Sequence, residues 1–120
     1  MARAQELISM AVRNFEREVP ALAPLKLVMR LELKGRGDVQ VFRVRVPGPE
    51  ITKVDPDDAR VHISIPRSRF NELAEKGTIN DWQEAYEHGD VKISGDSDIQ
   101  KLVATVIVRQ QARAKLKKAR

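Results

Sequence analysis

A chain of 120 residues with 42% hydrophobic and 32% charged residues reads as one ordinary globular domain, residues 1–120, with enough length to bury a core. Cysteine is absent, which excludes disulfides, thiol catalysis and cysteine-ligated metal and fits a reducing, cytoplasmic setting. No apolar run reaches the ~20 residues of a membrane span, and residues 1–15 lack the apolar stretch and cleavage site of a secretory signal. The net charge is +5, but six of the 22 basic residues fall among the last twelve: Arg109, Arg113, Lys115, Lys117, Lys118 and Arg120. The rest of the chain holds 16 basic against 17 acidic residues. The basicity therefore belongs to a tail, residues 109–120, suited to an anionic membrane surface, less readily to nucleic acid, or simply to a solvated helix end.

In chain order, Leu7, Ile8, Ala11, Val12 and Phe15 form a helical apolar stripe, stopped by Pro20 and Pro24. From Leu27 the period becomes two. Leu27, Met29, Leu31 and Leu33 alternate with Val28, Arg30, Glu32 and Lys34, the pattern of a half-buried strand. Gly35 and Gly37 mark a hairpin. The return strand VQVFRVRV alternates imperfectly, which predicts a bulge or cover on both faces. A short strand at 51–54, an Asp-Pro turn and the strand VHISI follow. Short turns between successive strands predict antiparallel neighbours throughout.

Phe70, Leu73 and Ala74 predict a short helix ending at Gly77. Trp82, Ala85 and Tyr86 predict another, closed by Gly89. A strand at 91–94 leads to a turn with Asp96 or Ser97 as helix cap. Ile99, Leu102, Val103, Val106 and Ile107 then share one helical face. The β-branched run LVATVIV could also suit a strand, but the stripe spans more than two turns, which favours a helix. The whole is an α+β domain, one sheet with helices gathered on one face.

Candidates for chemistry are few. His62 lies opposite the apolar strand face, and His88 precedes Gly89 at a helix end; both read as structural. Asp55, Asp57 and Asp58 lack the further ligands of a calcium loop. No phosphate loop, dinucleotide fingerprint or serine elbow occurs. The aromatics lie mostly on apolar helix stripes rather than along a basic groove, so no nucleic-acid partner is expected. Neither a metal, a cofactor nor catalysis is expected.

The segment AYEHGDVKISGD resembles the signature of the sterol carrier protein 2 family. The carrying residues are Ala85, Tyr86, Gly89, Val91, Ile93, Ser94, Gly95 and Asp96. VHISI followed by Phe70, Leu73 and Gly77 is similar to that family's strand-helix-glycine element, and the resemblance spans about residues 5–108. Two departures stand out: Pro66-Arg67-Ser68-Arg69 before Phe70, and the long basic tail, whose ending differs from a peroxisomal Ser-Lys-Leu address. The resemblance implies a five-stranded, mostly antiparallel sheet covered by helices, with an apolar tunnel holding a lipid: a fatty acid, another acyl chain or a sterol-like molecule. Met29, Phe70, Leu73, Trp82, Tyr86, Ile93, Leu102, Val103, Val106 and Ile107 are the expected wall. The tail is the expected membrane-docking element, and the protein a monomer or weak dimer. The alternative is an interaction module that serves a lipid-modifying enzyme through its apolar helix face.

Overall fold

A computed structural model describes residues 3–20, 24–46 and 48–118, with side chains described between residues 4 and 112 of those segments. Helix α1 (Arg3–Glu18) precedes the strands β1 (Leu27–Lys34), β2 (Val39–Val46), β3 (Glu50–Thr52) and β4 (Val61–Pro66). Helices α2 (Arg67–Lys76) and α3 (Ile79–Glu87), strand β5 (Lys92–Gly95) and helix α4 (Ser97–Lys118) follow. The strands form one open sheet in the order β3-β2-β1-β4-β5.

Three of its junctions are antiparallel, but β1 and β4 run parallel, with Met29 opposite Val61 and Leu33 opposite Ile65. This corrects the expectation of antiparallel pairing between each strand and the next: β4 does not pair with β3. Residues 53–60 instead carry the chain back across β2 and β1 on the face away from the helices. Charge explains why this path is stable. In the β1–β2 register Arg30 stands directly opposite Arg43, a like-charged pair that would loosen the ladder. The crossing segment brings one acid to each. Asp55 accepts from Arg30 Nε at 2.8 Å, and Asp58 takes both Nε and Nη2 of Arg43, at 3.2 and 2.8 Å. The aspartate cluster of the sequence is therefore an electrostatic strap.

The other sheet face meets the helices. Leu31, Leu33, Phe42, Val44 and Ile65 from the strands pack with Leu7, Ile8 and Ala11 of α1 and Phe70, Leu73 and Ala74 of α2. β2 contains no bulge, since its pairing with β1 is unbroken from Val39 to Val46. Val39 and Val41 simply occupy the polar face, where Val39 is 54% exposed. His62 shares that face, half-buried opposite Arg30 and Ser94.

Gly95 closes β5 at a contact no other residue could make. Its φ is +113°, and a Cβ there would sit 2.4 Å from the Arg60 carbonyl oxygen. Gly89 also has positive φ, +83°, but open space around it. Gly95→Ala is expected to cost about 2 kcal/mol or more and Gly89→Ala only about 1 kcal/mol. Urea denaturation of the two variants should show that order.

Candidate functional site

Local signals place each element around a single apolar space. Thr78 and Asp81 form a reciprocal capping box at the start of α3. At its end, Gly89 N–H donates to the Tyr86 carbonyl and Asp90 N–H to that of Ala85, the paired closure of a Schellman turn. That turn redirects the chain so that Val91 is buried and Ile93 pairs with Ile63 on the helix side of the sheet. Asp96 then caps α4: its Oδ1 accepts from Asp98 N–H at 2.9 Å and Ile99 N–H at 3.2 Å, while Oδ2 holds Arg60 at 2.5 Å. Farther along α4, Gln111 Nε2 donates to Asn80 Oδ1 at 2.7 Å and also to Gln83 Oε1. α4 is thus fastened by polar bonds at its start and again near Gln111.

Between those fastenings lies a cavity of about 420 Å³. Its floor is the sheet (Leu27, Met29, Leu31, Val44, Val46, Val61, Ile63, Ile93) with Leu25 and Val91 alongside. Its walls are Ile8, Ala11, Val12, Phe15 and Glu16 of α1, Phe70 of α2, and Ile79, Trp82, Gln83 and Tyr86 of α3. Ile99, Gln100, Val103, Ala104, Ile107 and Val108 of α4 complete it. Trp82 organises one side, with ring centroids 5.2 Å from Phe15 and 6.1 Å from Phe70. Tyr86 and Val108 line the space yet are half exposed, which marks its mouth.

Of the expected wall, the structure brings together Met29, Phe70, Trp82, Tyr86, Ile93, Val103 and Ile107. It leaves out three. Leu73 is buried in the core under α2, Leu102 is 48% exposed, and Val106 lies off the cavity. For α4 the reason is rotational. A segment apolar nearly all round does not announce which side faces inward. Its orientation is set by Asp96 and Gln111, so Ala104 and Val108, outside the expected stripe, line the space instead. The α1 residues and the strand partners of Met29 were also missed, although Leu27 and Leu31 share its parity and could have been found from it. In the tail, Arg109 is exposed. The side chains of Arg113, Lys115, Lys117 and Lys118, and all of Arg120, lie outside the described residues.

Neither histidine approaches the cavity wall. His88 is the exposed C-cap of α3. Among the described residues no cluster of three or more histidines, aspartates or glutamates could hold a metal ion, and no helix is long and apolar enough to cross a membrane.

No family model and no curated protein matches the sequence. Solved structures do. The solution structure of palmitated sterol carrier protein 2-like 2 from Aedes aegypti matches with a TM-score of 0.58 at 18% identity, over 83% of this chain and 93% of that one. The apo form of sterol carrier protein 2 from Yarrowia lipolytica gives 0.54 at 15% identity, over 76% and 84%. The fold is that of sterol carrier protein 2. It also occurs inside a larger chain, the inverting sec-alkylsulfatase Pisa1 from Pseudomonas sp., with a TM-score of 0.55 at 16% identity over 89% of this chain and 16% of that enzyme.

The sterol-carrier-like signature now has physical content. Ala85 is fully buried and offers the carbonyl that closes α3. Gly89 and Gly95 supply positive φ, Tyr86 and Ile93 face the cavity, and Asp96 seats α4. The Asp96 carboxyl is held below the usual carboxylate range by Arg60 first and by the N–H of Ile99 next; Arg30 and Arg43 do the same to Asp55 and Asp58. A carboxyl depressed in the folded state contributes stability above its unfolded pKa of about 4 and loses it as pH falls through the folded value. Thermal midpoints should therefore drop as pH falls below about 4, and less so in Asp96→Asn, which has already lost that share.

Proposed function

We propose that the protein binds a hydrophobic lipid in the cavity beneath α4 and transfers it without chemical change, shielding the guest from water between donor and acceptor. The observation that carries this reading is a 420 Å³ space with an almost wholly aliphatic and aromatic lining. That volume is typical of a small-molecule site. Left dry and empty it would cost on the order of 10 kcal/mol, at roughly 24 cal/mol per Å³, which rivals the whole stability of a domain. An acyl or polycyclic guest removes that cost, and each methylene it buries contributes about 0.8 kcal/mol. The palmitated state of the Aedes aegypti protein supports an acyl chain as such a guest.

In this reading the basic tail docks the loaded protein on anionic membrane, each cation near the surface adding about 1 kcal/mol. A second reading, an interaction module for a lipid-modifying enzyme, is favoured by the exposed Leu102 and by the fold's occurrence within the larger alkylsulfatase chain.

Native mass spectrometry of the purified protein should show a one-to-one lipid adduct. Val103→Asp or Ile107→Asp should abolish it, whereas Leu102→Asp, off the wall, should leave it intact. Loss of binding in Leu102→Asp, or a lipid-free complex that buries Leu102, would select the second reading. Changing Lys115, Lys117 and Lys118 to Glu should release the protein from anionic vesicles at low salt while retaining the lipid. Unchanged sedimentation with those vesicles would remove the docking role.

A further inference from the structure

The wall over the cavity and the basic end of the chain belong to one helix. α4 runs from Ser97 to Lys118 without a break. Ile99, Val103 and Ile107 of its first half line the cavity, and the cations Arg109, Arg113, Lys115, Lys117 and Lys118 occupy the turns that follow. We infer, on the carrier reading above, that α4 is a latched lid released by an anionic bilayer: capture of its basic end breaks the Gln111 fastening and opens the cavity at the membrane surface.

The two fastenings of α4 differ in kind. At its start, the Asp96 carboxylate is bound by the Arg60 guanidinium and by two backbone N–H groups, charge-assisted bonds of the stronger class. Near its far end, the Gln111 amide donates to Asn80 Oδ1 and Gln83 Oε1, bonds between neutral groups. The start is therefore the pivot and Gln111 the latch. The mouth lies beside the latch. Val108 stands one turn before Gln111 and Tyr86 one turn after Gln83, and both are half exposed. The helix continues about 10 Å past Gln111, so its cations pull on the latch from outside the cavity.

After Asp98 the chain holds no acidic residue, so nothing on the rest of the helix repels an anionic surface. A trigger must favour the open state over the closed one, and a bilayer does. In water, lifting α4 would expose Val103 and Ile107. At a bilayer these side chains, with the already exposed Leu102 and Val108, meet the acyl boundary while the cations meet lipid phosphates, the arrangement of an interfacial amphipathic helix. A soluble polyanion offers the charge without the apolar boundary.

The chain contains no cysteine, so Asn80→Cys with Gln111→Cys, joined by a short cleavable bis-maleimide, clamps α4 to α3. Each protein is loaded with a pyrene-labelled acyl lipid and mixed with phosphatidylcholine vesicles, with or without phosphatidylserine. The native protein should release the probe at least about tenfold faster to the anionic vesicles, the weight of two neutral hydrogen bonds. The clamped protein should sediment with anionic vesicles yet keep its lipid. Once the linker is cleaved it should release quickly to either vesicle, as should Gln111→Leu, because both lack the latch. Release from the clamped protein as fast as after cleavage would overturn the lid and leave the carrier reading standing. Equal acceleration of the native protein by heparin would overturn the bilayer as the trigger. Failure of every form to take up the probe, with no adduct in native mass spectrometry, would overturn both the lid and the carrier.

Discussion

The helix α4 is held by polar bonds at two places and faces empty space between them. Every functional feature of the fold follows from that attachment. A helix seated along its length by interdigitated side chains would bury its apolar face against the sheet and leave no site. Here the Asp96 cap and the Arg60 contact fix one point, and Gln111 fixes another against Asn80 and Gln83. Val103 and Ile107 line the cavity together with Met29, Val61 and Ile63 of the sheet. Polar fastenings are directional but contribute modestly, about 1 kcal/mol each. They set the position of α4 without a large packing energy that a guest must displace.

The division of labour between the two halves of the chain follows. The N-terminal strands and the first two helices hold the densest packing, with Phe42, Ile8, Leu33, Ile65 and Val44 almost wholly buried. The later elements, α3, β5 and α4, carry the larger exposed apolar side chains Tyr86, Ile93, Leu102 and Val108. Ile8 and Val44 of that core also line the cavity, so the space lies where the two halves meet.

Element types and boundaries were legible because each rests on short-range signals. Period-two alternation marks β1, the capping residues mark α3 and α4, and the glycines of the Ala85–Asp96 signature mark the turns between them. Two things were not legible. The parallel β1–β4 pairing depends on a crossing held by side-chain charge between residues 25 or more positions apart in one case, Arg30 and Asp55, and no local window contains both. The rotation of α4 depends on Gln111 reaching Asn80 and Gln83, while its apolar run is nearly symmetric. Of the wall residues, those on elements with a clear stripe, such as Trp82 and Met29, could be placed; Leu102 and Ala104 exchanged roles for want of one.

The segment 53–60 has a consequence for how the sequence can vary. Surface connections are ordinarily where a chain accepts extra residues most readily. This one neutralises Arg43 and shares with Glu32 the neutralisation of Arg30, so lengthening it would misplace Asp55 and Asp58 and leave Arg43 without its hydrogen-bonded carboxylate opposite Arg30. Room for insertion lies instead at the Gly35–Gly37 hairpin, whose Gly37 has open space around it.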